Sequence, residues 1–167
     1  LEFSDLDYFG QFRSTQQYRA NDHIRAAVPM GDRISVITRS TTEVLYDDLG
    51  SLSILEQDFA NGSLYGRSFV DVGDGTIFGL WNKGFGYFDG QKHAYIKTPY
   101  YLQALYQDQR FFVQSAIKVK DWYFLAVRKD AISNNNNYLF LFHFPTQRWF
   151  LIEETVYDLC WWHEGFL

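Results

Sequence analysis

Short runs of apolar, β-branched and aromatic residues, set off by polar turn-forming clusters, recur along most of the chain and read as β-strands. Between them stand turn-forming clusters: Asp48-Leu49-Gly50, Asn61-Gly62-Ser63, Asn82-Lys83-Gly84, Asp89-Gly90-Gln91, Asn134 to Asn137, and Pro145-Thr146-Gln147. Asp, Asn and Gly supply the left-handed or Asx conformations that tight hairpins need. One pattern recurs at a spacing of about 45 residues, the size of a four-stranded blade. It is an apolar strand, a tight turn and a second apolar strand. The turns carry Asp32 in Gly31-Asp32-Arg33, Asp74 in Gly73-Asp74-Gly75, and Asp121 in Lys120-Asp121-Trp122. A further copy begins at Val156-Tyr157-Asp158-Leu159-Cys160-Trp161-Trp162.

Two more strands are predicted after each of these hairpins. The first unit reads as strands at residues 33–38, 43–46 and 52–56. The second reads as 76–81, 84–88 and 93–97, and the third as 122–127, 138–144 and 148–152. Residues 100–110 are the one helical stretch expected, with Tyr101, Leu102, Leu105 and Tyr106 apolar. The fold class is therefore all-β, made of propeller-like blades of four antiparallel strands. A blade cannot bury both faces alone and leans on a neighbour. The boundaries are a lead-in at residues 1–23, blades at 24–66, 67–113 and 114–154, and the start of a next blade at 155–167. About three and a half blades cannot close a ring, so they are expected to be part of a larger propeller.

Composition sharpens the β reading. Aromatic residues make up 20% of the chain, and aromatics favour pleated, half-buried surfaces. The net charge of −5 disfavours nucleic-acid binding as the main task. Cys160 is the single cysteine, so no intrachain disulfide can form. The N-terminal Leu1-Glu2-Phe3-Ser4-Asp5 lacks the basic start and apolar run of a secretory signal. No apolar run reaches the roughly 18 residues of a membrane-spanning helix.

Candidate chemistry is sparse. Histidines 23, 93, 143 and 163 lack ligand spacing and are read as turn or strand-face residues. Gly62-Ser63-Leu64-Tyr65-Gly66 lacks the central serine of a nucleophile elbow. The pairs Asp47-Asp48 and Glu153-Glu154 are adjacent on strands, so their carboxylates point to opposite faces. Asp71-Val72-Gly73-Asp74-Gly75 lacks the ligand series of a calcium loop. No catalytic, cofactor-binding or metal site is expected. Asp32, Asp74 and Asp121 are read as turn builders. Glu43 interrupts an apolar setting and is a candidate partner for Arg39 or Arg67. Trp149, Trp161 and Trp162 are candidate interface residues, because one ring of each aromatic doublet must leave its own blade face.

The stretch Asp22-His23-Ile24-Arg25-Ala26-Ala27-Val28-Pro29-Met30-Gly31-Asp32-Arg33-Ile34 runs on to Arg39-Ser40-Thr41-Thr42-Glu43-Val44-Leu45-Tyr46. It resembles tail-accessory β-propeller proteins of short-tailed bacteriophages, of the packaged-DNA stabilisation or tail-nozzle type. The resemblance continues through Gly66-Arg67-Ser68-Phe69-Val70-Asp71-Val72-Gly73-Asp74-Gly75 and Gly84-Phe85-Gly86-Tyr87-Phe88-Asp89-Gly90. Ser4-Asp5-Leu6-Asp7-Tyr8-Phe9 also resembles a segment of that family. Residues 4–90 carry most of the likeness. It implies a structural virion protein of the tail that forms a homo-oligomeric ring or tube and helps retain packaged DNA until ejection. Its partners would be further copies of itself and other tail proteins such as adaptor and fibres. DNA would pass by without sequence-specific contact, with no cofactor and no membrane insertion by this segment. A carbohydrate- or receptor-binding propeller module is the alternative.

Overall fold

The computed structural model describes residues 20, 22–48, 51–107, 112–128, 137–152, 161–162 and 165–166. The apolar runs form strands, and within each sheet every strand pairs with the next one in the chain. The first sheet holds β1 (Ile24–Met30), β2 (Arg33–Thr38), β3 (Thr42–Asp48) and β4 (Ser51–Asp58). The second holds β5 (Val70–Gly73), β6 (Thr76–Trp81), β7 (Gly84–Phe88) and β8 (His93–Tyr95). The third holds β9 (Phe112–Val119), β10 (Trp122–Arg128), β11 (Asn137–His143) and β12 (Arg148–Ile152). All three are four-stranded, antiparallel and ordered as the chain runs. Helix α1 (Tyr100–Gln107) joins the second sheet to the third, and β13 (Trp161–Trp162) pairs with β14 (Gly165–Phe166). The lead-in up to residue 19, Asn134 to Asn136, Glu153-Glu154, Cys160 and His163 lie outside the described residues.

The first hairpin of each sheet closes through a two-residue turn, with Met30 opposite Arg33, Gly73 opposite Thr76 and Val119 opposite Trp122. The first turn residue has positive φ each time: Gly31 at 67°, Asp74 at 52° and Lys120 at 52°. Such turns match the right-handed twist of the flanking strands. The repeat is offset by one residue in its second copy. Asp74 takes the left-handed place, whereas Asp32 and Asp121 follow it, where the second copy has Gly75. The blade boundary expected at 113/114 falls inside β9, which begins at Phe112.

The second sheet is covered on both faces. Neighbouring strand residues point to opposite sides, and Ile77 and Phe78 are both fully buried. Ile77, Trp81 and Phe88 pack with Val28, Met30, Ile37 and Val44 of the first sheet. Phe78, Leu80 and Phe85 pack with Tyr123, Leu125, Val127, Phe140 and Phe142 of the third, and α1 adds Leu102 to that cluster. Phe78 stacks on Phe142 at 5.3 Å between ring centroids and meets Tyr123 edge-on at 5.0 Å. Gly79 sits opposite Gly86, and this pair makes the crowded side passable. A Cβ on Gly79 would come within 2.2 Å of the Phe69 ring. The leading strands adjoin, β1 against β5 and β5 against β9.

Candidate functional site

The segment from Asn61 to Ser68, which leads from the first sheet to the second, is where all three sheets meet. It carries no regular structure except a single 3-10 turn at Gly66–Ser68. Its polar groups are nevertheless buried at Asn61, Ser63 and Ser68, and buried polar groups need partners. The Ser63 amide donates to the Thr38 carbonyl at 2.9 Å, and its hydroxyl donates to the Leu80 carbonyl at 2.6 Å. The Ser68 hydroxyl donates to the Tyr65 carbonyl at 2.7 Å and accepts from the Leu80 amide at 3.0 Å. The Tyr123 hydroxyl reaches in from the third sheet and donates to the Ser68 carbonyl at 2.8 Å. The Thr42 hydroxyl donates to the Asn61 carbonyl. Two glycines allow this closeness. A Cβ on Gly66 would lie 1.9 Å from the Arg25 carbonyl oxygen, and one on Gly62 would lie 2.5 Å from the Arg39 backbone.

One end of this brace meets a partly buried polar chain. The Tyr95 hydroxyl donates to Asn61 Oδ1 at 2.6 Å, and Asn61 Nδ2 donates to Asp58 Oδ2 at 2.6 Å. The same carboxylate oxygen lies 3.2 Å from His93 Nδ1. Among the described residues neither buried His93 nitrogen has a well-formed hydrogen bond, so its contact with Asp58 is chiefly an ion-pair approach. Trp81 and Phe88 hold the imidazole, each at 4.4 Å between centroids, and its side chain is 4% exposed. Desolvation lowers the His93 pKa, and the Asp58 charge offsets this only in part. Burial pushes the Asp58 carboxyl up, but hydrogen bonds from Asn61 and the Ala60 amide, with the His93 and Lys83 charges, leave it lowered. Burial, aided by Asp58, raises the Tyr95 phenol to about 12. An imidazole beside a carboxylate is two-thirds of a nucleophilic triad. Here the imidazole sits in an aromatic box at the seam between the first two sheets and, among the described residues, has no hydroxyl or thiol partner. Among the described residues, no three His, Cys, Asp or Glu side chains are placed to hold a metal ion.

The other end opens into a cleft of about 470 Å³, lined by the first sheet, the brace itself and the third sheet. Arg39 comes from the β2–β3 turn, Leu64 to Arg67 from the brace, and Phe112 and Val113 from the start of β9. Arg39 and Arg67 thus share a cleft, and the Arg67 guanidinium donates to the Gln114 carbonyl at 3.2 Å. Glu43 is buried in β3, opposite Val36 and Gln57. Trp149 turns inward, 4.8 Å from both Phe85 and Phe142, while its neighbour Phe150 is exposed. Trp161 and Trp162 form β13, with Trp161 opposite Phe166 and Trp162 opposite Gly165. The brace and the His93–Asp58 pair were not read from sequence as sites. Asn61-Gly62-Ser63 signals a turn, and nothing local signals its long-range bonds.

No protein-family model matches this chain, and no curated protein matches it.

Proposed function

We propose that the chain is a run of β-propeller blades from a non-enzymatic, homo-oligomeric tail component of a short-tailed bacteriophage, one that helps retain packaged DNA. The reading is supported first by the middle sheet, whose two faces are each buried against a neighbouring sheet. Adjoining leading strands β1, β5 and β9 fit blades set around an axis. The third sheet supports a continuing series. Trp122, Leu141, Phe150 and Ile152 fall on its face away from the second sheet, and Phe150 and Ile152 are exposed. A further blade would cover that face. The likeness of residues 4–90 to tail-accessory proteins supplies the viral assignment.

The carbohydrate-binding alternative loses Trp149, which is spent between sheets, and would rest on exposed rings such as Tyr100 and Phe150. The test is native mass spectrometry with electron-microscope imaging of the native polypeptide that contains these residues. The reading expects a ring or tube of identical subunits with radial blades. A monomer that binds glycans would overturn it.

A further inference from the structure

The cleft beside the brace has a chemistry that the tail-component reading does not use. Among the described residues its charged side chains are Arg39 and Arg67, and no carboxylate or amide side chain lines it. Its other walls are apolar or aromatic. Leu64 is 48% exposed and Phe112 41% exposed, so two large apolar side chains stand open to water beside two guanidinium groups. The Tyr65 hydroxyl is already engaged, donating to the Tyr106 carbonyl at 2.8 Å. A sugar needs a ring of hydrogen-bonding amides and carboxylates, which this lining lacks. An anionic head joined to a flat apolar body matches it: guanidinium groups pair with phosphate or carboxylate oxygens, and the body lies against Phe112 and Leu64. The volume falls within the range of ordinary small-molecule sites.

Rigidity supports the same conclusion. The wall from Leu64 to Arg67 is fixed by Ser63 and Ser68 beneath it. Arg39 is fixed at its backbone, whose carbonyl accepts from Asn82 Nδ2 at 2.8 Å. A site formed before its ligand arrives loses little affinity to ordering.

We propose that this cleft binds an organic anion with a planar apolar body, its head held by Arg39 and Arg67 and its body by Phe112 and Leu64. Calorimetric titration of the chain with 1-naphthyl phosphate, 1-naphthoate, inorganic phosphate and 1-naphthol tests it. The joined probe should bind at least about tenfold more tightly than inorganic phosphate or naphthol. The ranking of naphthyl phosphate against naphthoate assigns the head group. Arg39→Gln and Phe112→Ser should each weaken binding by roughly tenfold, with the urea midpoint unchanged. If naphthyl phosphate and naphthoate both bind no better than their parts, or if Arg39→Gln binds like the parent, the proposal fails. A ring or tube could still form in that case, so the tail-component reading is judged separately.

Discussion

Replacing Ile77 and Phe78, one at a time, by alanine asks whether the second sheet is covered on both sides. In an antiparallel sheet with one wet face, neighbouring residues differ sharply in cost. The wet one changes stability by no more than about 0.5 kcal/mol. Here both side chains are fully buried in separate clusters. Phe78→Ala should cost about 3–5 kcal/mol and Ile77→Ala about 2–5 kcal/mol, with Ile77→Val costing about 0.5–1.5 kcal/mol. A double-mutant cycle then assigns the faces. Phe78 and Phe142 stack at 5.3 Å with planes 5° apart, and such aromatic pairs couple by about 0.5–1.5 kcal/mol. Ile77 and Phe142 share no cluster, so their costs should add within about 0.5 kcal/mol. Urea unfolding followed by tryptophan fluorescence reads both seams, because Trp81 lies in one and Trp149 packs against the other. A near-neutral Ile77→Ala or Phe78→Ala would refute the double coverage. Equal coupling of Ile77 and Phe78 to Phe142 would refute the face assignment.

Gly66→Ala should lower stability by at least about 1–3 kcal/mol, because its Cβ would meet the Arg25 carbonyl at 1.9 Å and backbone cannot step aside cheaply; an unchanged urea midpoint would contradict the brace. Tyr123→Phe should cost about 1–2 kcal/mol in the same assay, since the buried Ser68 carbonyl loses the donor at 2.8 Å. The His93 pKa is depressed below its ordinary 6.5, so the unfolded chain binds the proton more readily. Stability should be full above that value and fall as pH drops through the folded pKa. His93→Phe should flatten this slope, whereas Asp58, lowered from 3.8, keeps its contribution until more acid pH. Lys120→Gly should stabilise by up to about 1 kcal/mol in thermal melts. It relieves a left-handed residue at φ 52° worth about 1–2 kcal/mol, against about 0.5–1 kcal/mol of glycine entropy.

Strand positions were legible where local signals agree. Arg33–Thr38, Thr76–Trp81, Gly84–Phe88 and Arg148–Ile152 fall where short apolar runs and flanking turns place them. The helix begins at Tyr100 as expected and runs to Gln107. The offset of the second turn is not legible in the sequence, because Gly73-Asp74-Gly75 offers three residues able to adopt positive φ, and only the pairing of Gly73 with Thr76 selects Asp74 and Gly75. His93 reads as a strand-face residue, and it is one. Its charged neighbour Asp58 lies some 35 residues earlier in a different sheet, which no local pattern reports. The same holds for Ser63 and Ser68, polar residues in a turn-like stretch that became buried hydrogen-bonding hubs. The Arg39–Arg67 cleft is likewise formed by residues far apart in the chain, from the first sheet, the brace and the third sheet.

Nuclear Overhauser spectra of the methyl and aromatic protons test the stacked arrangement most directly. The Ile77 methyl groups should show cross-peaks to Val28, Met30 or Val44 of the first sheet, and the Phe78 ring should show them to Phe142 and Tyr123 of the third. If Ile77 and Phe78 report the same neighbours, or either reports only solvent, the sheets do not stack as described.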